Sequence, residues 1–204
     1  MADKMTQNDW IKKLYGSEEN LWKHNYAFID AQASGIRRQF NPASYIAVAR
    51  AFAEGRMKHK EETPPFSLAA YEVVGNVLYV EFNKVKTLED RATVFHECTH
   101  AVNDLSGPGI LTVLTDEASA FLAETIFLKT IGGMVPRRNG TDPEWSNMYT
   151  QADILAKKFF LYNGTPKDLV RADYADLRKA VGKIYDAGNT APEMQLPEKY
   201  RGAN

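Results

Sequence analysis

The chain has 204 residues, of which 44% are hydrophobic and 25% are charged, and this composition is typical of a globular protein. A net charge of −1 provides no general attraction for phosphate backbones, which argues against a nucleic-acid partner. One cysteine excludes an internal disulfide, and the sequence contains neither an apolar signal core nor an apolar run long enough for a transmembrane helix. We therefore expect a cytoplasmic protein with no membrane partner, and only export by a signal-independent route stays open.

The first element is predicted to be a helix between Ser17 and Ala33. Apolar side chains, among them Leu21 and Phe28, recur there at intervals typical of one helical face. His24 lies within this segment. A lone histidine in a helix is usually structural, so we expect His24 to have no chemical role.

A second helix is predicted from Asn41-Pro42, where a capping side chain precedes a proline at the first helical position. Gly55 follows Glu54 and is expected to end this helix. His59 lies beyond it in a run of charged residues, which indicates a solvated loop or a helix end.

A β-hairpin is predicted around Gly75-Asn76, a two-residue turn signal between the strand-like segments Leu68–Val74 and Val77–Phe82. If Val77–Phe82 also lies at the edge of its sheet, an extended peptide can add to it as a further strand. One face of this strand should pack on the next helix, the face that carries Leu78, Val80 and Phe82.

The next helix is predicted from Leu88 to about Leu105. Thr87 and Asp90 have the spacing of a capping box, and apolar residues follow at helical intervals. Cys98 lies within this helix and is interpreted as a small packed residue.

This helix carries the strongest chemical signal of the chain, the string H-E-x-x-H at residues 96–100. His96 and His100 lie one turn apart on one helical face, where two imidazoles can hold a single Zn²⁺ ion. Glu97 lies between them and can act as a general base on water at the metal.

A catalytic zinc site needs a third protein ligand and an open position. A second helical pattern runs from Thr115 to about Thr130, and Glu117 near its start can supply that ligand. Glu124 lies two turns further on the same face, as a supporting residue or an alternative ligand. Asp104, one turn after His100, is another alternative.

Residues 77–128 resemble the gluzincin metallopeptidases, and in their short form the minigluzincin and ImmA/IrrE-type domains. The resemblance consists of a strand, the H-E-x-x-H helix, a glycine-bearing loop and a helix that opens with E-A-x-x-F-x-A. It implies that Glu117 is the third zinc ligand. An ordinary metzincin is excluded, because Asn103 and Ser106 stand where that group has glycine and a third histidine. No histidine follows His100, so the residue that stabilises an oxyanion stays unassigned.

The C-terminal third is predicted to hold two further helical segments. One starts at Asp142-Pro143 and ends at Asn163-Gly164, and the other runs from Thr165-Pro166 to about Tyr185. The loop from Gly132 to Asp142 is a candidate rim of the cleft. A tyrosine or an arginine of this C-terminal third, such as Tyr149 or Arg137, can stabilise an oxyanion.

The sequence therefore predicts a single α+β domain over residues 1–188, mostly helical and zincin-like, with a small antiparallel hairpin beside the H-E-x-x-H helix. The metal core spans about residues 77–130, and residues 189–204 form a flexible tail. The predicted activity is that of a metallopeptidase with one Zn²⁺ ion, Glu97 as general base and a peptide or protein substrate. Two alternatives are a zinc-dependent hydrolase of a non-peptide amide and a metal-bearing interaction domain without turnover.

Overall fold

The computed structural model describes residues 5–22, 24–30, 36–65, 67–106, 113–135, 142–160 and 167–186. Within these ranges the fold is α+β and mostly helical, as the sequence predicts. The helices are α1 Gln7–Tyr15, α2 Pro42–Glu54, α3 Leu88–Leu105, α4 Val113–Thr130, α5 Pro143–Phe160 and α6 Ala175–Asp186. The strands are β1 Tyr26–Asp30, β2 Ile36–Phe40, β3 Lys58–Lys60, β4 Ala69–Glu72, β5 Val77–Val80 and β6 Lys167–Val170.

The strands form two small mixed sheets. In the first, β1 lies in the centre, antiparallel to β2 and parallel to β6. In the second, β5 lies in the centre, antiparallel to β4 and parallel to β3. In the first sheet the parallel strand comes from a distant part of the chain, whereas in the second it comes from the segment just before β4.

The predicted hairpin is confirmed as the pair β4 and β5. Glu72 lies opposite Val77, so the loop has four residues instead of the expected two. Asn76 in this loop has a φ of 50°, a left-handed conformation that asparagine tolerates better than most residues. Leu78 and Val80 are buried in the main core together with apolar residues of α3, which agrees with the predicted orientation of the strand.

Val77–Phe82 does not lie at the edge of its sheet, so the condition for adding a peptide strand there is not met. β3 pairs with β5 on the side opposite β4, starting with the bond from Lys58 N to the Asn76 carbonyl at 2.8 Å. The strand ends at Val80, because residues 82–84 form a 3₁₀ turn. A local hairpin pattern contains no information on a strand that arrives from residues 58–60, so it cannot show that β5 lies in the centre of the sheet.

Two helix predictions are confirmed at both ends. Asn41 caps α2 through the Ser44 N–H, and Gly55 ends this helix with a φ of 77°. Thr87 and Asp90 form a capping box at the start of α3. The helix predicted to start at Thr115 is also present, as α4.

Two other helix predictions are wrong. Of the segment predicted as a helix over residues 17–33, the described part up to residue 30 contains a 3₁₀ turn and strand β1 instead of a helix. The segment predicted as helical from Thr165-Pro166 begins its described part with strand β6, and α6 follows only at Ala175. In both segments, pairing with another strand outweighs a weak helical pattern.

The two remaining histidines lie outside helices. His24 precedes β1 and is completely buried, with its Nε2 3.1 Å from the Ala123 carbonyl, so its structural role is confirmed. The solvated position predicted for His59 is wrong. His59 belongs to β3, contacts the Val80 carbonyl at 2.8 Å and packs against Trp10.

Aromatic stacking ties α3 into the core. Phe95 stacks on Tyr45 of α2 and on Phe127 of α4, with ring centroids 4.4 and 4.3 Å apart. Cys98 is buried in the core, in agreement with the small packed residue expected from sequence, and burial raises the pKa of its thiol. These contacts fix the position of the helix that carries the two motif histidines.

No helix in the described ranges is both long enough and apolar enough to cross a lipid bilayer. The tail 189–204, most of the predicted rim loop from Gly132 to Asp142, and the predicted helix end at Asn163-Gly164 lie outside the described residues.

Candidate metal centre

Three side chains from two neighbouring helices converge at one point. His96 and His100 come from α3, and Glu117 comes from the first turns of α4. Glu117 Oε2 lies 3.5 Å from His96 Nε2, and Glu117 Oε1 lies 3.8 Å from His100 Nε2. One ligand atom from each residue lies within 4.8 Å of the other two. These buried residues are therefore close enough to hold a metal ion.

The donor set and its spacing fit a divalent metal. A tetrahedral zinc ion with bonds of about 2.0–2.1 Å places its ligand atoms roughly 3.3 Å apart. The two measured distances from Glu117 to the histidines exceed this spacing by only a few tenths of an ångström. Three protein ligands would leave one position open for water or substrate.

The orientation of His96 is set by Glu124, whose carboxylate contacts the ring nitrogen on the side away from Glu117. Glu124 Oε2 lies 3.1 Å from His96 Nδ1, and this contact directs Nε2 toward Glu117. Glu124 is only 4% exposed, and its other oxygen accepts a hydrogen bond from Tyr149 at 3.1 Å. The structure therefore places Glu124 behind His96 as its partner.

The orientation of His100 is set in the same way by Asp116. Asp116 Oδ2 lies 2.9 Å from His100 Nδ1, and Oδ1 accepts a hydrogen bond from the Asn103 amide. The same amide also donates to Ser119 Oγ at 3.2 Å. Carboxylate partners of this kind fix the ring orientation of metal-binding histidines and raise their basicity.

The third sequence candidate, Asp104, lies elsewhere. Its carboxylate accepts a hydrogen bond of 2.8 Å from the hydroxyl of Tyr71 in β4. Among the described residues, the cluster suited to a metal ion consists of His96, His100 and Glu117, and Asp104 takes no part in it.

Glu97 lies beside this cluster and is only half-buried. The backbone N–H of Tyr71 donates to Glu97 Oε2 at 2.8 Å. Burial raises the pKa of the Glu97 carboxyl, while His96 and His100 oppose this shift through their positive charge. A carboxyl group with a raised pKa is better matched to proton transfer near neutral pH than an ordinary glutamate.

Carboxylates surround both histidines and control their charge. Burial alone would lower the pKa of His100, but Asp116 and Glu117 raise it to about 9. Burial likewise opposes a charge on His96, but Glu117 and Glu124 raise its pKa well above the ordinary value. The site is thus built to accommodate positive charge, which is the electrostatic requirement for a cation.

Sequence reasoning missed several residues that support the site: Asp116, Asn103 and the backbone N–H of Tyr71. Asn103 carries a weak signal, since it lies three residues after His100 on the same side of α3. Asp116 directly precedes Glu117, and helical spacing alone cannot show that both neighbours turn toward α3. The oxyanion candidate Tyr149 has its hydroxyl on Glu124, and Arg137 lies outside the described residues.

Comparison of the chain with protein-family models, curated proteins and solved structures gave no match. The function must therefore be inferred from the chemistry of the site itself.

Proposed function

We propose that the protein is a zinc-dependent hydrolase that cleaves peptide bonds. The observation that carries this proposal is the convergence of two imidazole Nε2 atoms and the Glu117 carboxylate beside the half-buried carboxylate of Glu97. Donor atoms of this type suit Zn²⁺, and a three-ligand site keeps a position for the reaction. When bound, zinc would polarise a substrate carbonyl and acidify water.

The residues of the chain have separate tasks in this mechanism. His96, His100 and Glu117 would hold the ion, with Glu124 and Asp116 fixing the two imidazoles. Glu97 would accept a proton from the attacking water and pass it to the leaving amine. Its contact with the Tyr71 N–H holds one oxygen in place, so the carboxylate needs little reorganisation before it accepts the proton.

The position of β4 supports a peptide as the substrate. Among the described residues β4 is an edge strand, and its outer side faces Glu97 through Tyr71. An extended chain can be recognised by backbone hydrogen bonds at such an edge, apart from the Tyr71 N–H, which Glu97 already occupies. Because β5 is paired on both sides, the preference for a peptidase over a hydrolase of small amides no longer rests on β5, but on β4 and on the resemblance of residues 77–128 to metallopeptidases.

The test replaces Glu97 by glutamine, which keeps the shape of the side chain and removes its basicity. Metal content, measured by mass spectrometry for zinc and for iron, should stay at one ion per chain. Cleavage of a library of unstructured peptides should fall at least 100-fold, since general-base catalysis contributes about 10²–10⁴-fold. The control variant is Glu89→Gln, on an exposed part of the same helix.

The results separate the proposed function from its alternatives. Metal binding without cleavage of any peptide, together with cleavage of a non-peptide amide, would indicate the small-amide hydrolase. Metal binding without any turnover in the wild-type protein would indicate an interaction domain. Iron in place of zinc in the purified protein would contradict the assignment of the metal, since two histidines and one carboxylate also suit Fe(II).

A further inference from the structure

We propose that Tyr149 of α5 is a positioning residue for His96, and that it acts through Glu124. The contacts form one continuous chain across three helices. Tyr149 donates its hydroxyl proton to Glu124 Oε1 at 3.1 Å, and Glu124 Oε2 lies 3.1 Å from His96 Nδ1. The inference deepens the proposed function and rests on it for its chemical meaning.

The Tyr149 hydroxyl matters to Glu124 because the glutamate is buried. Glu124 is only 4% exposed, so water cannot readily replace a missing donor, and an unsatisfied buried carboxylate is costly. Among the described residues, Tyr149 and His96 are the hydrogen-bond partners of this carboxylate. Without the Tyr149 hydroxyl, one carboxylate oxygen loses its donor, and the angle at which the other oxygen meets His96 is no longer fixed.

The two histidines differ in where their support comes from. His100 is supported by Asp116, which accepts a hydrogen bond from Asn103 of α3 and lies near the positive charge of Arg38 in β2. His96 depends on α5 instead. The position of His96 Nε2 as a candidate ligand is therefore coupled to the packing of α5, a helix that carries none of the three candidate ligands.

Aromatic packing holds the tyrosine in place independently of its hydroxyl. Phe121 of α4 meets the His96 ring edge to face at a centroid distance of 4.5 Å. The Tyr149 ring in turn meets Phe121 edge to face at 5.8 Å. A Tyr149→Phe substitution keeps this ring in the aromatic cluster, and so it removes the hydrogen bond while preserving most of the packing.

The matched control is Tyr79→Phe. Tyr79 lies in β5, is also buried, and donates a hydrogen bond from its hydroxyl to the carboxylate of Glu72 at 2.7 Å. This variant makes the same chemical change at a tyrosine that packs with Ala70 and Val77 in a cluster separate from the main core. A general loss of stability should appear in both variants, whereas an effect on His96 should appear in one.

The first measurement uses metal-free protein and ¹⁵N–¹H NMR spectra of the histidine rings. The Nδ1–H signal of His96 should shift or broaden in Tyr149→Phe, while that of His100 stays unchanged, and Tyr79→Phe should leave both signals at the wild-type position. An unchanged His96 signal in Tyr149→Phe would overturn the proposal. Because this experiment needs no metal, it decides the positioning role even if the wild-type protein binds no zinc, a result that would refute only the proposed function.

The second measurement is the zinc dissociation constant from competition with a chromophoric chelator. Outer residues of metal sites contribute about 10–100-fold to affinity, and we expect Tyr149→Phe to weaken zinc binding about 10-fold. In a double-mutant cycle with Glu124→Gln, the two effects should be strongly non-additive, because the tyrosine acts through the glutamate. Additive effects, or an equal loss in Tyr79→Phe, would show that Tyr149 does not position His96.

Discussion

Tyr71 of β4 is bonded to Glu97 of α3 through its backbone, with a distance of 2.8 Å from the peptide nitrogen to Oε2 of the carboxylate. The side chain of the same tyrosine donates to Asp104, two turns further along α3, also at 2.8 Å. One strand residue thus fastens the hairpin to the helix at two points. Only the first of these involves the candidate general base.

These two contacts can be separated by Tyr71→Phe. The backbone bond to Glu97 persists in this variant, whereas the bond to the half-buried Asp104 is lost. We expect the free energy of unfolding to fall by about 1–2 kcal/mol, with zinc affinity within twofold of the wild type. Chemical denaturation and chelator competition measure the two quantities. A large loss of zinc affinity would mean that the Asp104 contact also supports the metal cluster.

Metal binding should stabilise the folded protein. An ion that binds only the folded state adds about 2.7 kcal/mol when its free concentration is 100 times the dissociation constant. Chelation should therefore lower the melting temperature, and zinc should restore it. His96→Ala should abolish this response, and Glu97→Gln should retain it. Identical melting curves with and without chelator, in protein known to have carried metal, would contradict a site with three protein ligands.

Replacement of Asp116 by asparagine should weaken zinc binding about 10–100-fold, because the amide is a weaker acceptor for His100 Nδ1 and carries no charge. Asp168→Asn is the control, since that carboxylate pairs with Arg37 at the surface. Competition with a chelator gives both affinities. Equal affinities of the two variants would show that Asp116 does not support His100.

The stability of the protein should fall in mild acid because of His24. Burial lowers the pKa of this histidine from 6.5 to about 4, while the bond to Ala123 O partly opposes the shift. As the pH falls from 6.5 toward 4, the unfolded chain takes up a proton that the folded protein excludes. The free energy of unfolding therefore decreases as the pH falls. The full loss is about 3 kcal/mol from this one group.

The measurement is the free energy of unfolding of metal-free protein at several pH values between 4 and 7. His24→Gln keeps a donor for the Ala123 carbonyl and removes the titrating group, so its stability should depend less on pH. His59→Gln serves as the comparison, because His59 is only partly buried and its pKa is also lowered by burial. An equal pH dependence in wild type and His24→Gln would show that His24 is not the acid-sensitive group.

The parts of the fold that were predictable from sequence are those with local signals. Thr87 and Asp90 define the start of α3, and Asn41 defines the start of α2, because the side chain that caps a helix is next to it in sequence. Strands β1 and β6 have no such signal. Each has only four or five residues, and each is stabilised as a strand by a partner that the local sequence does not reveal.

The same distinction applies to the candidate site. The spacing of His96, Glu97 and His100 within one helix is sufficient to predict that the two imidazoles share a face. The resemblance to gluzincins and the need for a third ligand predict Glu117 as a candidate. The structure places Glu117 next to both histidines. The roles of Asp116 and Tyr149 depend on how α3, α4 and α5 pack, and helix packing is not encoded in the spacing of any one helix.

The parallel pairing of β1 with β6 has a consequence for biosynthesis. Tyr26 lies opposite Lys167, so most of the chain must leave the ribosome before this sheet can close. Contacts between such distant segments raise the contact order and slow folding. Until β6 is made, β1 has an open edge, and Phe28, which is fully buried in the finished protein, has no complete cover. The helices that carry the candidate ligands lie in the middle of the chain and can pair earlier, so the nascent protein is expected to be most prone to aggregation at its N-terminal sheet.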